Sequence, residues 1–188
     1  EILNFSSSAL DLRLKPKDTA PTGLALAPKV LIFMEITDPG GKVKKCKVMV
    51  LNLNETSLEY NWAVEYPDGS SRSGVYKVEA FDKSHDYGVD WEQAPEEVPE
   101  GTAPWVSREI FRELRDNGFT NITIDKKARK DAIVIAELKG LTTFPVDING
   151  KKQNLKAIQV YTDKGDKLMI LDEIQNPLVL SAEVAGIY

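Results

Sequence analysis

Leu58-Glu59-Tyr60-Asn61-Trp62-Ala63-Val64-Glu65-Tyr66 decides the fold class. Large apolar residues stand at every second position, with Glu59, Asn61, Ala63 and Glu65 between them. This is the period of a strand buried on one face, and a helix would scatter the same residues around its circumference. Pro67-Asp68-Gly69-Ser70 follows as a turn, because Pro presets φ and Gly accepts φ > 0. Arg72–Phe81 then returns with Tyr76, Val78 and Ala80 on one face, so the two runs read as a hairpin.

Working outward, the same pattern recurs on both sides. Upstream, Val30–Thr37 and Val43–Leu53 flank Asp38-Pro39-Gly40-Gly41, a second hairpin signal. Cys46, the only cysteine, sits in the alternating Val43–Val50 run and reads as a small buried hydrophobe. It excludes an intramolecular disulfide and any cysteine-based zinc site. Before Lys29 the chain is punctuated by Pro16, Pro21, Gly23 and Pro28. Residues 1–28 are therefore expected to be an irregular lead-in with one short strand around Ile2–Leu10. Downstream, candidate strands are Thr120–Ile124, Ala132–Leu138, Thr142–Ile148, Asn154–Thr162, Lys167–Leu171 and Pro177–Val184. Asn149-Gly150 and Asp163-Lys164-Gly165-Asp166 form hairpin turns between them.

One helix interrupts the strands. Ser107 is a natural N-cap, Glu109 lies in the first turn where the dipole favours a negative charge, and Gly118 suits the C′ position. Ile110, Phe111 and Leu114 make a narrow apolar stripe, leaving Arg108, Arg112 and Arg115 to face water. The expected fold is mainly β: an antiparallel sandwich or barrel-like sheet with one short amphipathic helix over 107–117. Residues 29–188 read as one domain, the alternative being a sub-division near Gly101 into two half-sheets.

The 188 residues carry 24 basic and 29 acidic side chains, net −5, which argues against a general nucleic-acid binder. No stretch reaches the ~18 consecutive apolar residues of a membrane helix. Neither a G-x-x-x-x-G-K-[ST] loop nor a G-x-G-x-x-G fingerprint occurs, and the βαβ alternation around them is missing. Gly69-Ser70-Ser71-Arg72-Ser73-Gly74 has the wrong glycine spacing for a nucleophile elbow and lies in a hairpin. His85 is the only histidine and lies in a polar loop, where it reads as exposed or locally hydrogen-bonded.

Charge is concentrated rather than spread. Residues 82–100 hold seven carboxylates against Lys83 alone, so the rest of the chain carries about +1. Trp91 and Trp105 flank this loop and, with Tyr87, are the expected contacts for a protein partner or an apolar ligand. No cofactor is expected; the alternative is calcium held by Asp86, Asp90 and Glu92, although EF-hand spacing is absent. Tyr60, Trp62, Phe111 and Phe119 are assigned to the core.

Pro95-Glu96-Glu97-Val98-Pro99-Glu100-Gly101-Thr102 leads into the helix. Pro145-Val146-Asp147-Ile148-Asn149-Gly150-Lys151 and Leu171-Asp172-Glu173-Ile174-Gln175-Asn176-Pro177-Leu178-Val179-Leu180 follow. Together these resemble strings in β-rich domains of bacterial exported proteins and lipoproteins, over about residues 60–182. The chain departs from them at Glu100, where a proline precedes the glycine, and at Asp172-Glu173, where two aspartates stand. The resemblance implies an extracytoplasmic location (periplasm, cell surface or secreted) and carries over no catalytic residue. A start at Glu1 rather than Met is what removal of an export signal would leave, and an arbitrary boundary would look the same.

These observations favour a non-catalytic, extracytoplasmic binding module. Two alternatives stand beside it. One is a carboxylate-dependent hydrolase, with or without calcium, resting on the 82–100 acids and Asp172/Glu173, whereas turn chemistry accounts for the other paired carboxylates, Asp163 and Asp166. The other is a structural or adhesion scaffold.

Overall fold

A computed structural model describes residues 2–5, 11–13, 26–37, 40–88, 101–124 and 131–185. The first strands are β1 (Ile2–Phe5), β2 (Asp11–Arg13), β3 (Leu31–Thr37) and β4 (Val43–Leu53). They are followed by β5 (Leu58–Glu65), β6 (Ser71–Val78), β7 (Asp86–Tyr87) and helix α1 (Arg108–Asn117). The chain continues through β8 (Phe119–Ile124), β9 (Ile133–Ile148), β10 (Lys151–Thr162), β11 (Lys167–Leu171) and β12 (Val179–Ala185). Among the described residues the protein is mainly β with one short helix, as its periodicity predicts.

The strands form one sheet in the order β6-β5-β4-β3-β1-β12-β11-β10-β9-β8-β7. Neighbours are antiparallel except β7 beside β8 and β2 beside β9. Strand β2 pairs with both β3 and β9, so β3, β1, β12, β11, β10, β9 and β2 make a ring of bonded neighbours. The sheet is barrel-like because the lead-in closes it: of residues 1–28, the segments 2–5 and 11–13 are strands. Beyond the ring, β4–β6 continue from β3 as a meander, while β8 and β7 continue from β9.

Local chemistry sets the turns. Asn149 and Gly150 both have positive φ (54° and 79°), the requirement of a two-residue hairpin between β9 and β10. Strand β9 runs through Gly140 without stopping, where the sequence suggested two strands. Opposite it the register shifts at Gln159/Val160, so the glycine marks a bulge and not a terminus.

Two apolar clusters fill the interior. The first joins the inner faces of β3–β6 (Ile32, Cys46, Val48, Tyr60, Trp62, Tyr76) to Trp105, Val146 and Leu178. The second seats Ile110, Phe111 and Leu114 of α1 against Ile122, Val134, Ile158 and Leu168. Helix α1 is capped as expected: Ser107 Oγ accepts from Ile110 N at 3.1 Å, and left-handed Gly118 donates to Leu114 O.

Two expectations are corrected. Arg108 is buried rather than facing water: its guanidinium donates to Glu55 O at 2.7 Å and lies 5.1 Å from the centre of the Phe81 ring. Phe119 is 56% exposed, not core, because β8 buries its even-numbered residues and a strand cannot bury two neighbours on one face.

Candidate functional site

Of the residues expected to contact a ligand, Trp91, Asp90 and Glu92 lie outside the described residues. Trp105 and Tyr87 are interior, 0% and 3% exposed, so neither presents a surface. The cause is the path of residues 101–107, which thread between the two halves of the sheet. Tyr76 donates its hydroxyl to Gly101 O (3.2 Å), and Tyr60 donates to Ala103 O. Trp105 Nε1 donates to Asn176 Oδ1 at 2.8 Å, while Val179 N donates to Pro104 O at 2.9 Å. Burial raises the Tyr60 hydroxyl well above the usual phenol range and pushes Tyr76 up to about 12. A tryptophan flanking a charged loop reads as exposed, and only these long-range bonds reveal that it is core.

Asp86 is half-buried, and its carbonyl accepts from Thr102 N at 2.8 Å. Among the described residues no three His, Cys, Asp or Glu side chains come together as a metal site. The amides opening α1 are also occupied: Arg108 N donates to Phe81 O and Glu109 N to Asp82 O.

His85 is locally bonded, as its polar loop suggests. Its Nε2 lies 3.1 Å from Glu113 Oε2, and the same oxygen accepts from the Thr120 hydroxyl. Those two hydrogen bonds, Thr120 first, hold the Glu113 carboxyl below its usual range. With the hydroxyl spent on the carboxylate, the cluster ties the β7 loop to α1 and β8. Twenty-eight residues separate His85 from Glu113, and no local spacing announces the pair.

Asp163 and Asp166 are engaged in turn contacts, as turn chemistry predicts. Asp163 Oδ1 accepts from Ile135 N at 3.0 Å, and Asp166 Oδ2 accepts from the Thr162 hydroxyl at 2.7 Å. Asp172 and Glu173 lie beyond the other end of β11, roughly 20 Å from Asp166 at about 3.3 Å per strand residue.

A concavity lies elsewhere, on the outward face of β4–β6. Lys47, Met49, Asn61, Trp62, Ala63, Ser73, Gly74 and Val75 line a trough of about 420 Å³. Strand register explains it. Across the outward face, Met49 stands beside Asn61 and Asn61 beside Val75, while Lys47 stands beside Ala63 and Ala63 beside Ser73. Small Ala63 and Ser73 between larger neighbours leave the hollow. Beneath it Gly74 stands beside Trp62 on the inner face, where a Cβ would meet the Trp62 ring at 3.0 Å, so any other residue would displace the indole. The sequence signal for this site was the apolar Met49, Ala63 and Val75 at outward positions.

No family model matches the chain, and neither a curated protein nor a solved structure does.

Proposed function

We propose that this chain is a non-catalytic binding module whose site is the trough on β4–β6. The observation that carries the reading is the hollow itself, on a face where an antiparallel sheet normally shows water a polar surface. Its volume of about 420 Å³ lies in the range of small-molecule sites, and its lining mixes apolar groups with a few polar ones. The ligand side of the earlier expectation is kept, and its place moves from the 82–105 loop to the meander.

The neutral fluorophore N-phenyl-1-naphthylamine tests this. It should bind the wild-type chain and brighten, and Ala63→Arg, which fills the hollow from the solvent side, should abolish the signal while the melting curve stays cooperative. No binding by the wild type, or equal binding by the variant, overturns the proposal. An extracytoplasmic location belongs to the same reading and is supported by the resemblance to exported domains. Recovery of the protein solely in the cytosolic fraction of its cells would refute it.

A further inference from the structure

We infer that the trough selects an anionic amphiphile, an apolar chain ending in a carboxylate of the fatty-acid type, with Lys47 holding the charged end. This rests on the reading of the trough as a binding site and adds the chemistry of what it takes.

Among the described residues Lys47 is the only charged one lining the hollow. Its neighbours across the outward face are Phe33 on one side and Ala63 on the other, so no carboxylate faces it in register. Glu35 and Glu65 lie one row away, both registered against Lys45, and Asp11 lies two strands off, beyond Phe33. Among the described residues Lys47 makes no ion pair, and its ammonium rests 5.8 Å from the centre of the Phe33 ring. An exposed cation–π contact of that kind is weak, so the ammonium can leave it for a better partner.

The remaining lining suits the other end of such a molecule. Met49, Ala63 and Val75 offer apolar surface, with Met49 adaptable in shape. Asn61 and Ser73 are neutral and add no competing charge. A neutral apolar ligand would fill the hollow but leave the ammonium unused. A multiply charged ligand would set charge against Met49 and Val75. One anionic head on one apolar chain satisfies both.

Displacement of bound N-phenyl-1-naphthylamine by decanoate and by decan-1-ol, which differ in charge but share an apolar chain, measures the selectivity. For the wild type, decanoate should displace the probe at a roughly tenfold lower concentration, a ratio that shrinks as salt screens the pair. Lys47→Met, which keeps the stem and removes the charge, should bring the ratio to about one, and Lys47→Arg should restore most of it. Equal displacement by the two compounds in the wild type overturns the inference while leaving the binding site standing. A preference that survives Lys47→Met overturns it too, since the charge is then read elsewhere. If the probe does not bind the wild type at all, the trough reading falls and this one falls with it.

Discussion

The two halves of the interior solve the same problem with different materials. Beside the meander the core is aromatic: Tyr60 stacks on Tyr76 with ring centres 5.2 Å apart, and Trp105 tilts against Tyr60 at 5.4 Å. Each of these rings has a polar tip, and each tip is bonded to residues 101–103 or to Asn176. Beside α1 the core is mostly aliphatic, and packing holds it within. The aromatic half therefore depends on long-range hydrogen bonds that must all be made, whereas the helical half depends on volume. Each half should fail in its own way.

The largest effect is expected at Trp105. Trp105→Ala empties a fully buried site and leaves Asn176 Oδ1 without its donor, at a cost of about 3–5 kcal/mol, measurable by urea denaturation. Leu114→Ala, also buried, should cost about 2–4 kcal/mol and raise amide exchange first in β8 and β9. If Leu114→Ala costs more than Trp105→Ala, the two halves are not divided as described.

Alkali should sharpen the contrast. Tyr76 ionises near 10 when unfolded and near 12 when folded, so its contribution is complete below pH ~10 and is lost as pH rises towards 12. Up to about 2–3 kcal/mol is at stake. Tyr76→Phe should flatten the fall in melting temperature over that window, and an unchanged fall would place the alkaline sensitivity elsewhere.

Acid should act on the helical half, with the smallest effect. The Glu113 carboxyl is held below its unfolded value of 4.5, so its contribution is present above that pH and disappears as pH drops through the folded value. Glu113→Gln has no such contribution to lose. Its melting temperature should therefore fall less than that of the wild type between pH 6 and pH 3, values chosen roughly to bracket the carboxylate range. A parallel fall in both proteins would show that the His85–Glu113–Thr120 cluster does not couple to stability.

Much of this architecture is legible residue by residue. The alternation of Leu58–Glu65, the Asn149-Gly150 turn and the Ser107 and Gly118 caps each express an interaction spanning four residues or fewer. Each appears in the structure at or within a residue or two of where the sequence puts it. Gly140 misled because a glycine inside a strand and a glycine ending one look alike until the partner's register is known. Trp105 and Arg108 misled for a related reason. Nothing near them in sequence shows that residues 101–108 are drawn inside, where Asn176 and Glu55 supply their partners.

The amino-acid order alone determined that the chain makes short antiparallel strands, where most of them turn, and that one capped helix lies among them. Dihedral preference, capping and side-chain period are all settled between near neighbours. Only the tertiary structure decided that β2 closes the ring, that Trp105 and Tyr87 are core, and that Lys47 faces a hollow without an acid opposite it. Those facts depend on which strand lies beside which and in what register, and pairing over tens of residues is chosen by the burial of the whole apolar set rather than by any one segment.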